Sequence, residues 1–403
     1  MATRAATVVP PFPYEPGSTF VIKAHTPPPP FGPYYKNKNP VRVPVRGLEY
    51  GSGNRVGHMG FVISNPPLDP EATAKTKAQP QRVLTIARKI SHKPKEDGGG
   101  PVVVRCSLDS DKTTTYIAKI YDGFEYALAE PGETGCDCMY VADMDYSREA
   151  AAYESIPARL QGSIVPRYFG SWTFPLPTGA QGRRRWVRMV LMEDVPGECM
   201  LDMILRARGA TRSNPEPDAW SAEPPGLDYS LLPPEKERLD ILARIVEAEA
   251  ELQWYGGVMH GDVEPRNVII SRRGPASASP RVTIIDFNLS YVPQRCEAGR
   301  RMIAETGHGK GLPVSIIERY WLESHFAYGG VYSEWIPQSW VVEDEPLFPP
   351  MRWLIDRWLG SPRFRPPSEK FFNLPFHRNL DEPFRQLFEE LKAAVAKDRQ
   401  ARG

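Results

Sequence analysis

Apolar and polar residues alternate over Val83 to Ile90, with Leu84, Ile86 and Ile90 on one face, and the alternation predicts a β-strand. A turn rich in Lys, Asp and Gly follows, ending at Gly98, Gly99 and Gly100. Val102 to Cys106 and Thr114 to Tyr121 read as two more strands, the latter with Ile117, Lys119 and Tyr121 on one side. Ser147 to Ile156 has helical character with Ser147 as N-cap, and Val187 to Met192 is an apolar strand. Leu239, Leu242, Ile245, Val246 and Leu252 recur at helical spacing between Pro234 and Tyr255, and Gly256 and Gly257 end that long helix. Val268 to Ile270 and Val282 to Ile285 are short apolar strands, and Glu382 to Arg402 reads as an amphipathic helix.

Proline changes the picture at the N-terminus. The first 80 residues hold 15 of the 43 prolines, including the run Pro27 to Pro30. Proline lacks a backbone donor and fixes φ, which excludes continuous helix or a central strand there. Residues 1–80 are thus expected to be a Pro-rich arm, either draped over the folded domain through Phe31, Tyr34 and Tyr35 or partly disordered. Residues 206–234, rich in Pro, Ser, Gly and charge, read as an exposed insertion.

Composition is that of a globular chain, with 41% hydrophobic and 25% charged residues among 403. A net charge of +1 offers no field toward nucleic acid or an acidic membrane. The five cysteines show no metal-ligand spacing, and Cys136 and Cys138 read as ordinary reduced thiols. No stretch is apolar enough for a membrane span or a signal peptide. The expectation is a soluble intracellular protein, cytoplasmic or nuclear, with no nucleic-acid or membrane partner.

Chemistry concentrates in two segments. His260 to Asn267 (HGDVEPRN) follows the long helix, and Ile284 to Asn288 (IIDFN) ends the second apolar strand. A hairpin between them would bring Asp262, Asn267 and Asp286 to one end. Phosphoryl transfer asks a protein for positioning and charge neutralisation more than for covalent chemistry. Asn267 and Asp286 offer hard oxygens suited to Mg2+, and Asp262 could orient a hydroxyl and accept its proton.

These segments resemble the protein-kinase superfamily. His260 to Asn267 is similar to its catalytic loop in the HGD form, and Asp286 to Asn288 resembles the DFG metal-binding motif. Over residues 82 to 320 the chain looks most like the divergent kinase-like proteins abundant in fungal genomes; aminoglycoside and choline phosphotransferases share the HGD form. The resemblance implies that Lys119 pairs the α- and β-phosphates of ATP and that Glu149, rather than Glu154, holds Lys119. It implies that Ile117 covers the adenine, that Met192 is the gatekeeper and that Glu193 begins the hinge contacts.

Several positions depart from that pattern. No GxGxxG is present; Gly98 to Gly100 would offer backbone N–H groups to phosphate or serve as a plain hairpin turn. Glu264 stands where a lysine is usual, and Arg266 would supply the missing positive charge. Asn288 replaces a glycine that takes positive φ. Glu318 is a loose match to the APE motif, and the tryptophans beyond it read as core residues.

The expected architecture is a two-lobed α+β protein-kinase-like fold, with a small antiparallel-sheet N-lobe over 81–196 and a mainly helical C-lobe over 197–403. The implied activity is transfer of the ATP γ-phosphate, with Mg2+, to a hydroxyl on a protein. The alternatives are a small-molecule acceptor, or a pseudokinase that binds without transfer.

Overall fold

A computed structural model describes residues 11–35, 41–45, 55–69, 81–93, 99–127, 137–178, 183–212, 227–272, 279–306, 309–321, 330–340, 348–374, 382 and 384–402. Gly98, Cys136, and parts of the Pro-rich stretch and of the 206–234 insertion lie outside the described residues. In chain order the elements are β1 (Thr19–Ala24), α1 (Arg55–Ser64), β2 (Gln81–Ser91), β3 (Val102–Leu108), β4 (Asp111–Tyr121), α2 (Cys138–Ser155), β5 (Tyr168–Pro177) and β6 (Arg184–Glu193). There follow β7 (Glu198–Cys199), α3 (Met200–Ala207), α4 (Glu235–Glu251), β8 (Val268–Ser271), β9 (Arg281–Ile284) and α5 (Glu297–Thr306). The last are α6 (Ile316–Tyr320), α7 (Phe348–Trp358), α8 (Glu369–Phe372) and α9 (Phe384–Arg402). The chain divides into two compact units: Met1–Gly162, Pro166–Asp194 and Asp286–Thr306 form the first, and Ser163–Val165, Val195–Ile285 and Gly307–Gly403 the second.

The first unit is built on a closed barrel of six antiparallel strands in the order β1-β2-β3-β4-β6-β5. This corrects the expected two-lobed protein-kinase-like fold with its small antiparallel sheet. The sequence reading found β2, β3, β4 and β6 but not β1 or β5, and those two strands close the ring. β1 pairs along its length with β2, from Thr19 opposite Thr85 to Lys23 opposite Gln81. Its end pairs with β5, Lys23 opposite Thr173 and Ala24 opposite Trp172. Closure removes the open edges that a flat sheet would leave unpaired.

Alternation fills the barrel. Val102, Val104, Cys106 and Leu108 of β3 are buried while their neighbours are partly exposed. They meet Ile22, Leu84, Ile86, Ala118, Ile120, Phe174 and Met189 in one core. Tyr14 joins this core, and its hydroxyl donates to Asp122 Oδ2 at 2.7 Å, which also accepts from Arg185 Nη2 at 2.8 Å. The Pro-rich stretch continues along α2: Arg148 Nε donates to Phe31 O (2.8 Å), and Phe31 meets Tyr140 edge-on. Helix α2 starts nine residues before the expected Ser147, because Asp137 supplies the cap by accepting from Tyr140 N at 2.6 Å.

The second unit centres on α4, whose Ile241, Leu242, Ile245 and Val246 are buried against α3, α6, α7 and α9 side chains. Its last turn widens over Leu252–Gly256, and Gly257 (φ 61°) turns the chain away in a left-handed conformation that suits glycine. Trp321, Trp335, Trp340 and Trp358 lie in this core. Trp335 Nε1 donates to Arg238 O (2.9 Å) while Arg238 Nε donates to Trp335 O (3.0 Å). Glu318 accepts from Ser368 N (2.8 Å) and Oγ (2.9 Å), where Ser368 caps α8. A short sheet runs in the order β7-β8-β9, with both pairs antiparallel. Among the described residues no helix is long and apolar enough to cross a membrane.

If β1 is a true stave of the barrel, its two faces must respond differently to truncation. Ile22→Ala, at a fully buried position, is expected to destabilise the first unit by about 2–5 kcal/mol. Val21→Ala, 53% exposed on the outer face, is expected to stay within about 0.5 kcal/mol of wild type. Urea unfolding followed by fluorescence measures both, and equal effects would deny β1 its place.

Candidate functional site

The first cluster arises from the strand period. On β4, Ala118 and Ile120 point into the barrel, which turns Lys119 and Tyr121 outward toward α2. Lys119 is only 4% exposed. Its Nζ donates to Glu149 Oε2 of α2 and, at 2.5 Å, to Asp286 Oδ1. Tyr121 OH donates to the same Glu149 oxygen. Glu149 Oε1 is buried with no hydrogen-bond partner among the described residues. Glu154 instead faces outward and accepts from Arg295 Nη2 at 3.0 Å.

Asp286 is held in place by its neighbours. Phe287 is fully buried and meets Tyr153 of α2 edge-on, 5.1 Å between centroids. Asn288 hydrogen-bonds through its side chain to Asp145, one helical turn before Glu149. The left-handed residue is Asp286 itself (φ 70°), not Asn288 as expected from the glycine position. Such a backbone is uncommon for a residue with a Cβ and is held here by Phe287, Asn288 and the Lys119 contact. The Asp286 side chain remains 39% exposed.

Charge in this cluster is finely opposed. Burial alone would depress Lys119, but the Asp286 and Glu149 carboxylates outweigh it and hold its pKa above the ordinary lysine value. Burial raises Glu149, against the pull of Lys119, and the Asp286 charge adds to the rise. The lysine therefore stays charged, and burial brings Glu149 nearer to taking up a proton than an exposed glutamate is. Asp145 is pushed up to about 7 by burial, with Lys119 and the Asn288 bond opposing and the Asp286 charge reinforcing. Tyr126 OH donates to Asp145 Oδ2 at 3.2 Å.

The second cluster lies in the second unit, on the loop after α4. His260 is buried; Asp262 N donates to its Nδ1 (3.2 Å), so its Nε2–H donates to Ile285 O (2.9 Å). Asn267 Nδ2 donates to Asp262 O and to Asp262 Oδ2, each at 2.8 Å. Arg266 Nη2 donates to Asp262 Oδ1 (2.8 Å), and its Nη1 to Glu264 Oε2. The Arg266 charge is thus shared between two carboxylates, and Glu264 does not stand alone. Ile285 N donates to Asn267 O (2.9 Å), tying the end of β9 to the loop.

The remaining expected site residues fall elsewhere in the first unit. Ile117 stands opposite Met192, and Tyr116 opposite Glu193, where β4 pairs β6. Met192 is buried and its sulfur accepts from Tyr153 OH at 3.6 Å, while Glu193 N donates to Arg167 O at 2.8 Å. Gly99 bridges Tyr126, and a Cβ on it would sit 2.4 Å from Glu125 O. Gly100 N donates to that same oxygen at 3.1 Å, which commits this N–H within the protein. Sequence reasoning missed Tyr121, Asp145 and Tyr126. Tyr121 shares the strand face of Lys119, and Asp145 precedes Glu149 by four residues, a spacing visible only once α2 is known to start at Cys138.

The donor chemistry suits magnesium in one respect. Asp286 is a part-exposed carboxylate and Asn267 a buried amide, and magnesium commonly takes one or two carboxylates beside substrate phosphates. Among the described residues no group of three or more His, Cys, Asp or Glu side chains is arranged to hold a metal ion by itself.

Compared with known proteins, the chain matches no family model and no curated protein. Among solved structures it is similar to the pseudokinase PEAK1 (Sugen Kinase 269), at 15% identity, over 49% of this chain and 41% of that one, with a TM-score of 0.29. A likeness this slight carries no argument about fold or activity.

Two measurements probe the first cluster. Lys119→Met leaves Glu149 buried without its cation and is expected to cost about 3–5 kcal/mol, with much of that regained in the double variant Lys119→Met, Glu149→Leu. Denaturant unfolding of the four proteins of this cycle checks the coupling. Asp145 sets a pH dependence. Its folded pKa near 7 exceeds the unfolded carboxylate value of about 4, so the folded state binds the extra proton in between. Its contribution is full below about pH 4 and is lost as pH rises through 7. Asp145→Asn should therefore gain stability relative to wild type on going from pH 5 to pH 8, and a parallel pH profile would refute the assignment.

Proposed function

We propose that this chain is an ATP-dependent phosphotransferase that moves the γ-phosphate to a hydroxyl. The observation that carries the reading is the buried Lys119 ammonium, fixed by Glu149 and by the part-exposed Asp286. A desolvated, pre-positioned cation beside a metal-binding type of carboxylate is what phosphate binding requires. Lys119 is assigned to the nucleotide phosphates, Glu149 to holding Lys119, and Asp286 to magnesium. Magnesium, when bound, neutralises phosphate charge.

Asp262 is assigned to the acceptor. Its carboxylate is oriented by Asn267 and Arg266, and His260 fixes the backbone on which it sits. The acceptor oxygen forms a bond to the γ-phosphorus, the bond to the bridging oxygen breaks, and ADP departs. The hydroxyl proton passes to Asp262 and then to solvent. Arg266 pairs with both Glu264 and Asp262 and offsets part of their charge beside the incoming phosphate. Ile117 and Met192, paired on β4 and β6, are assigned to the adenine, with Glu193 at the end of β6.

Calorimetry with ATP, with and without magnesium, followed by phosphate release, tests this reading. Wild type is expected to bind ATP in a magnesium-dependent way and to turn over. Asp286→Ala should weaken magnesium-dependent binding at least about tenfold, ~1.4 kcal/mol. Asp262→Asn should bind nucleotide as wild type does but lose turnover by roughly two orders of magnitude or more. Binding without turnover in wild type would favour a nucleotide-binding module, and no binding would end the proposal.

A further inference from the structure

Helix α2 carries two neighbouring stripes with different partners. Asp145, Glu149 and Tyr153, spaced by four, meet Asn288, Lys119 and Phe287. Tyr140, Met144 and Arg148, also spaced by four, meet the segment that leaves β1. That segment starts at His25, whose Nδ1 meets Tyr146 OH of α2 at 2.7 Å. It continues through Pro27 to Pro30, of which Pro28 and Pro30 are buried. Proline has no backbone N–H, so the run is buried without leaving donors unsatisfied.

The segment ends in a turn set on Arg148. Tyr35 N donates to Gly32 O at 3.0 Å. Arg148, 2% exposed, donates from Nε to Phe31 O, and its guanidinium lies 6.0 Å from the ring centres of both Tyr34 and Tyr35. Gly32 (φ 109°) sits so near α2 that a Cβ would stand 2.6 Å from Met144 Sδ and closer still to Arg148 Nη2. The buried Tyr35 then reaches the chain beyond Asp286. Its hydroxyl accepts from Val292 N at 2.8 Å, and its ring meets Tyr291 edge-on at 5.2 Å. Val292 is fully buried, and the Tyr35 hydroxyl satisfies its N–H.

This segment, α2 and residues 286–306 all belong to the first unit. The stretch after Asp286 is tied to α2 directly at Phe287, Asn288 and Arg295, the last through Glu154. Between those ties, Tyr35 holds it at Tyr291 and Val292. We propose that residues 25–35 are a strap that positions the Asp286 segment, with Tyr35 as its positioning residue. Resting on the phosphotransferase reading, the strap sets how well Asp286 takes magnesium, and with it the magnesium-dependent part of ATP affinity. It acts through α2 and Val292.

Hydrogen exchange of the full chain, read by mass spectrometry, and ATP calorimetry with and without magnesium test the strap. Tyr35→Phe keeps the ring and removes the acceptor of Val292 N. Gly32→Ala forces the turn off Arg148, and Tyr34→Phe, at a ring 64% exposed, is the control. In the first two variants, peptides spanning 286–296 are expected to exchange about tenfold faster, with β3 and β4 at wild-type rates. Magnesium-dependent ATP binding should weaken about tenfold while magnesium-free binding holds, and Tyr34→Phe should match wild type throughout. Unchanged exchange over 286–296 in Tyr35→Phe would overturn the proposal, whether or not Gly32→Ala folds. So would faster exchange that spreads through β3 and β4, the mark of general loosening, or faster local exchange with magnesium-dependent affinity intact. If wild type binds no ATP, the phosphotransferase reading fails, and the exchange result alone decides whether the strap stands.

Discussion

One ammonium group organises the first unit's chemistry. Lys119 leaves the barrel wall on β4 and is shared by Glu149 of α2 and Asp286 of the segment that follows β9. A buried lysine without such partners would lose its proton or unfold its surroundings. Because the two carboxylates come from separate stretches of chain, the same contact that keeps the lysine charged also registers strand, helix and loop against each other. Phe287 on Tyr153 and Asn288 on Asp145 add packing and hydrogen bonding to that registration. The cost of burying the Lys119 and Glu149 charges is offset only while both are present and paired, which makes the cluster specific as well as stabilising.

Much of this cluster was legible in the sequence for a plain reason. Lys119 lies amid apolar residues in a strict strand period, and Asp286 ends an apolar run, so both stand out as polar groups where polar groups are costly. Asp262 and Asn267 were visible through their spacing on a loop after a capped helix. The closed barrel was not legible. β1 is six residues set within a proline-rich stretch, and β5 contains Gly170, Pro175 and Pro177, all of which argue against strand when read locally. The first half of α2 was hidden differently. It is buried nearly all round, so no apolar stripe marks it.

The contact between α4 and α6 belongs to the same lesson. Glu249 on α4 and Arg319 and Tyr320 on α6 are some 70 residues apart in sequence, and no spacing rule joins them. Only the packing of α6 against α4 brings Arg319 and Tyr320 onto the Glu249 carboxylate.

The way the barrel is closed also bears on how the chain is made. Lys23 pairs with Thr173, about 150 residues later. During synthesis from the N-terminus, β1 can meet β2 early, yet its other edge stays unpaired until β5 has left the ribosome. For that interval the nascent barrel carries an open β edge with Val21 on its surface, a template for pairing with the wrong chain. The prolines that flank β1 shorten that edge and remove donors from its approaches, so the composition that hides the strand from a reader also guards it while it waits.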